Sequence, residues 1–159
     1  MDELSQEDFA SLLAFRTGLR RYLRWSETRV REAGLTPAQH QLLLAVKGHG
    51  PQAAPTVGDL AGYLLLRHHS TVELIDRAER AGLVRRGRDS DDNRVIRVSL
   101  TAEADRVLSE LTRLHLAELR SLAPILDRLS TELKTLEDPL PRGEGRQGAG
   151  ARGPNSTQQ

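Results

Sequence analysis

Residues 66–101, LRHHSTVELIDRAERAGLVRRGRDSDDNRVIRVSLT, constrain this chain more than any other stretch. The first part has helical character and ends at Ala81-Gly82, the kind of glycine stop that accepts a left-handed backbone. Two β-prone runs follow, predicted near 83–86 and 95–100, separated by a turn rich in Asp, Ser and Asn. Along the second run Ile96, Val98 and Leu100 alternate with Arg97 and Ser99, which predicts one face packed inward and one face toward solvent or phosphate. A helix followed by a basic two-stranded ribbon can place the helix in a major groove and the ribbon beside it.

The flanking segments read as helices. Phe9, Leu12, Leu13, Leu19, Tyr22, Leu23 and Val30 hold a helical spacing to about Ala33, where Gly34 ends the element. Thr36-Pro37 opens a second helix to about Lys47. Thr56 with Asp59 predicts a capped third helix through Tyr63, and the fourth starts near Arg67 or His68. Thr101 caps a fifth helix carrying leucines 108, 111, 114, 119 and 122, which Pro124 breaks or kinks. Ser130-Thr131-Glu132 reads as a further start, leading to a short final helix with Leu133 and Leu136. From Pro139 the chain is rich in Gly, Pro, Arg and Gln, a composition expected to be disordered. At 159 residues this is one domain with a tail.

Composition excludes several classes. The chain has no cysteine, so disulfides, thiolate metal ligands and thiol redox switches are ruled out. No apolar run approaches the roughly 18 residues of a membrane span, and the acidic opening MDELSQED is unlike a secretory signal, so a cytoplasmic protein is expected. The net charge of +1 hides an uneven distribution: residues 16–31 carry six arginines against Glu27 alone. The hairpin carries Arg85, Arg86, Arg88, Arg94 and Arg97 against Asp89, Asp91 and Asp92. A GC-rich genome would also favour Arg over Lys, so the argument rests on where the arginines fall.

Ser70-Thr71-Val72, Ile75-Asp76-Arg77, Ala81-Gly82-Leu83-Val84-Arg85, and Asp92-Asn93-Arg94 ahead of Leu100-Thr101 resemble the multiple-antibiotic-resistance regulator (MarR) family. The resemblance implies a mainly α (α+β) fold: a winged helix-turn-helix with a two-stranded β-wing, flanked by N- and C-terminal dimerisation helices. It divides the chain into a domain of residues 1–138 and a tail of 139–159. Within the domain, 36–100 form the DNA-binding core, and 5–34 and 101–138 the dimerisation region. The implied protein is a homodimeric regulator, a repressor relieved by a small aromatic or phenolic ligand, which binds double-stranded DNA at a pseudo-palindromic operator. Cysteine-based peroxide sensing, which some members of the family use, is excluded here.

Within that frame the fourth helix is expected to offer Ser70, Glu73 and Arg77, with Arg67, His68, His69 and Thr71 at its start, to the major groove. Helical projection groups Leu74 with this outer face and sets Val72, Ile75 and Glu79 on the other. Asp92 and Arg94 match the family's wing-tip pair, the carboxylate extending the guanidinium toward a minor groove, while Arg88 and Arg97 reach phosphates. Turn chemistry alone would explain Asp91, Asp92 and Asn93, but not the flanking arginines. The family's effector pocket maps onto Tyr22, Trp25, Arg29, His40, Leu43, Leu44 and His115, with Arg29 as carboxylate partner. The other reading of these residues is a packed core with satisfied histidines. Nothing in the spacing of His40, His115 and nearby acids marks a metal site. No catalytic motif, cofactor fingerprint or metal cluster is assigned. The alternatives to a ligand-responsive regulator are a winged-helix protein–protein adaptor and a metal-responsive regulator.

Overall fold

The structure is a computed structural model that describes residues 4–135, with side chains to residue 131. Its order is α1 (Gln6–Glu32), α2 (Pro37–Gly48), α3 (Val57–Leu64), α4 (His68–Arg80), β1 (Val84–Arg88), β2 (Ile96–Leu100), α5 (Ala102–Leu119), a 3-10 turn (Arg120–Leu122) and α6 (Ala123–Thr135). This is a winged helix-turn-helix with long helices before and after it.

Local chemistry sets most boundaries. Ser5, Thr36 and Thr56 each form a reciprocal capping box, with Asp8, Gln39 and Asp59 respectively, and Thr101 accepts from the Ala104 N–H. At the end of α1, Gly34 adopts φ +80°, while the Leu35 N–H reaches back to the Val30 carbonyl at 3.1 Å. Gly82 ends α4 the same way, with Leu83 reaching Ala78 at 2.9 Å. The end of α3 uses this bond pattern too, but there Leu65 holds the left-handed position at φ 54° with its side chain 91% exposed.

The core gathers Leu42, Leu43, Leu60, Ile75, Val84, Val98 and Leu108, one or more from every element between α2 and α5. β1 and β2 pair antiparallel in the register Val84↔Leu100 to Arg88↔Ile96. A third segment stitches the hairpin to the helices: the Val98 N–H donates to the Pro55 carbonyl at 2.9 Å, and Thr56 bridges to Arg97.

Three expectations need correction. β1 runs two residues beyond its predicted end, to Arg88. Only Val98 of the three inward residues of β2 is fully buried; Leu100 is half-buried and Ile96 exposed, since the wing extends past the body at that end. No helix starts at Ser130: α6 is continuous from Ala123, with Pro124 in its first turn where the missing N–H costs nothing, and the Thr131 hydroxyl bonds the Asp127 carbonyl instead of capping. The predicted tail of 139–159 and the leucines at 133 and 136 lie outside the described side chains.

Candidate nucleic-acid interface

The buried side of α4 is Thr71, Leu74, Ile75 and Ala78. That fixes the rotation of the helix, leaving Arg67, His68, His69, Glu73, Arg77 and Arg80 exposed and Ser70 half-buried. Leu74 therefore belongs to the core side, not to the outer face. Thr71 is likewise unavailable to DNA: it is fully buried and its hydroxyl donates to the Arg67 carbonyl at 3.0 Å. α1, α2, α3 and α5 all have side-chain caps, but the N-terminus of α4 has none, because Arg67 stands at the cap position. Its first N–H groups are left for an external acceptor, and the helix dipole favours an anion there. Neither Arg67 nor Arg77 makes a side-chain bond among the described residues.

At the wing, the arginines divide into free and committed. Arg88 is exposed, and the Arg94 side chain is 94% exposed, making one 3.4 Å contact from its Nε to Asp92. Asp92 also accepts from the Arg94 N–H at 3.0 Å, so the predicted pair forms and shapes the turn as it extends the arginine. Arg97 does not reach outward. It is bound to Asp89 and donates to the Ala54 carbonyl at 2.7 Å, pinning the wing root to the loop before α3. The Arg97 guanidinium, helped by the Asp91 and Asp92 N–H groups, holds the Asp89 carboxyl well down, at about 2. Arg86 is also committed. Its two guanidinium nitrogens donate to Glu79 and Asp76 of α4, each at 2.5 Å, and its N–H donates to Glu79 at 3.0 Å. Strand alternation carried a signal for this, since Arg86 shares the inward face of β1 with buried Val84. Nothing in the sequence could have announced Arg97, whose partner carbonyl lies 43 residues away.

The predicted effector residues divide as well. Tyr22, Trp25, His40 and His115 converge where α1, α2 and α5 meet: His40 stacks on His115 at 4.9 Å, and Trp25 meets it edge-on at 5.4 Å. His115 is buried, its Nδ1 2.6 Å from the Leu111 carbonyl and its Nε2 2.6 Å from the Ser26 hydroxyl. The carbonyl can only accept, so Nδ1 donates to it, and in the neutral ring Nε2 then accepts from the Ser26 hydroxyl. Burial, then the neighbouring His115, lowers the His40 pKa. Burial, then Glu118, raises that of Tyr22. Leu43 is part of the core and Leu44 points away, onto a separate cleft with Tyr63 and Gln41. Arg29 is ion-paired with Glu32 at 2.8 Å and lines a neighbouring cavity of about 240 Å³ with Val107, Glu110, Leu111 and Leu114. Among the described residues no group of three or more His, Asp or Glu could hold a metal ion, and no helix is long and apolar enough to cross a membrane.

A MarR family model matches residues 33–94, from the end of α1 to the wing tip. Over those residues the chain is similar to the MarR family. A curated relative, the uncharacterized HTH-type transcriptional regulator YsmB of Bacillus subtilis (strain 168), is 36% identical over 67 residues. The match spans 42% of this chain and 46% of YsmB, so the chain covers about half the length of that relative. Among solved structures, a single-residue mutant of S. aureus MepR superposes with a TM-score of 0.67 at 19% identity, over 79% of this chain and 97% of that one. A second S. aureus MepR mutant, bound to an oligodeoxyribonucleotide, gives 0.62 at 18% identity, over 85% and 100%. These likenesses show the winged-helix fold beyond the matched segment. AbsC, a MarR family transcriptional regulator from Streptomyces coelicolor, superposes with a TM-score of 0.64 at 20% identity, over 86% of this chain and 94% of that one.

Proposed function

We propose that this chain is a sequence-specific DNA-binding transcriptional regulator that works as a homodimer in the cytoplasm. The observation that carries the proposal is the uncapped N-terminus of α4 beside exposed Arg67, His68 and His69, with Arg77 exposed in the last turn of the same helix and Arg88 and Arg94 exposed on the wing. Backbone N–H groups at a helix start and unpaired arginines are the donors that phosphates and guanine edges accept. The S. aureus MepR mutant bound to an oligodeoxyribonucleotide has the same fold, which agrees with DNA as the ligand of this chain.

Dimerisation is supported by the apolar side chains the outer helices leave in solvent: Phe9, Leu12, Leu13 and Leu23 of α1, Leu116 of α5 and Leu126 of α6. A two-fold dimer would read a pseudo-palindrome with half-sites about one helical turn apart. In the repressor form of the proposal, a small aromatic or phenolic acid relieves binding. The Tyr22, Trp25, His40 and His115 rings fill the helix junction, so such a ligand would enter at the adjoining Arg29 cavity. Titrating the chain against duplexes from its own upstream region, beside a scrambled duplex, tests the proposal. Selective, salt-sensitive binding is the expected result; equal weak affinity for both duplexes, repeated with fragments selected genome-wide, would overturn it.

A further inference from the structure

DNA readers of this shape need the groove-facing helix and the wing held at a fixed mutual angle, and Arg86 is built to hold it. It stands on β1, opposite Val98 of β2, with its side chain turned back onto α4. There its two terminal nitrogens grip carboxylates one helical turn apart, Asp76 and Glu79, while its own N–H bonds the second of them. A planar fork with two parallel donors can satisfy both acids at once; a lysine, with a point charge on a flexible stem, cannot. The Arg86 side chain is 24% exposed, whereas that of Arg94 is 94% exposed.

We infer that Arg86 is a positioning residue for DNA recognition: it locks the wing to the recognition helix and masks the Asp76 and Glu79 charges without touching DNA. This rests on the DNA-binding proposal, and it separates Arg86 from the other wing arginines. Three bonds converge from β1 on a single turn of α4, and removing the guanidinium leaves two carboxylates uncompensated near the end of the reading helix. The hairpin root stays attached through Val98 to Pro55 and through Arg97 to Ala54, so loss of Arg86 frees the angle but leaves the strands paired.

The chain has no cysteine, so spin labels can be placed without background. Labels at Glu73→Cys on α4 and Ser90→Cys in the wing, diluted with unlabelled chain, would report the α4–wing distance by pulsed electron resonance. The labelled chain with Arg86 intact is expected to give one narrow distance; Arg86→Met should broaden or shift it, and Arg86→Lys should fall between. On a selected operator duplex, without labels, Arg86→Met should weaken binding about tenfold, an interaction of about 1.4 kcal/mol, with an unchanged salt slope. Arg94→Ala should lower that slope by about 0.9, one phosphate. An unchanged distance distribution in folded Arg86→Met overturns the inference. So does a salt slope lowered as in Arg94→Ala, which would make Arg86 a phosphate contact. Full affinity in the triple variant Asp76→Asn, Glu79→Gln, Arg86→Met would show that charge masking alone matters, overturning the positioning role. If the wild type binds no duplex, the DNA proposal fails while the distance measurement still decides whether Arg86 holds the angle.

Discussion

The segment from α2 to β2 and the helices on either side of it bury their apolar residues very differently. In the middle segment Leu42, Leu43, Leu60, Ile75, Val84 and Val98 are buried almost completely. In the outer helices Phe9, Leu12, Leu13, Leu23 and Leu116 are each at least half exposed. The middle segment supplies most of the core, which Val30 of α1 and Ala104, Leu108 and Leu111 of α5 complete; the outer helices also hold apolar surface that a single chain does not cover. The same contrast divides the arginines. Those that reach back to α4 or the α2–α3 loop, Arg86 and Arg97, build the shape, and those without a side-chain bond among the described residues, Arg67, Arg77 and Arg88, are the ones proposed to meet DNA.

The hardest way to break this contrast is to open the middle core. Leu60→Ala, at a fully buried site, should cost about 2–5 kcal/mol in chemical denaturation. An effect no larger than that of a surface substitution would mean that this cluster does not carry the stability of the chain. Next in size, Leu12→Glu with Leu23→Glu should convert the proposed dimer to monomer in sedimentation while the thermal signature of the α2–β2 core persists. A dimer that survives both changes would place the interface elsewhere.

A smaller effect is a pH dependence at the junction of the two regions. His40 titrates below its ordinary value of 6.5 because it is buried against His115. Above pH 6.5 both the folded and unfolded chains hold it neutral and its contribution to stability is complete. As pH falls below 6.5 the unfolded chain takes up the proton first, so that stability is lost as pH falls through the lowered folded value. His40→Gln should flatten the fall in stability on that acid side, and an identical profile in the variant would remove His40 as its cause. Smallest of all, Leu65→Gly should stabilise the chain by about 1 kcal/mol, because glycine accepts the left-handed backbone freely and the side chain it replaces packs on nothing.

Features governed by local chemistry were legible in the sequence. Thr36, Thr56 and Thr101 cap as their spacing predicts, and Gly34 and Gly82 end their helices. The Asp92–Arg94 pair also forms across two residues. What escaped the sequence depends on tertiary partners. Projection could not fix the rotation of α4 to within one residue, which misplaced Leu74 and left Thr71 on the wrong side. Arg97 resembles any solvent-facing strand arginine until the loop at Ala54 folds over it. Of the pocket residues, four converge, but Leu44 lines a separate cleft with Gln41 and Tyr63, and Arg29 turns to Glu32.

The most direct test of the division between outward-reaching and committed arginines is the salt dependence of operator binding for Arg94→Ala beside Arg97→Ala. Arg94→Ala is expected to flatten the log–log slope by about 0.9, one phosphate's worth. Arg97→Ala should keep the wild-type slope and instead lower the thermal stability of the chain. A flattened slope for Arg97→Ala with an unchanged slope for Arg94→Ala would contradict it.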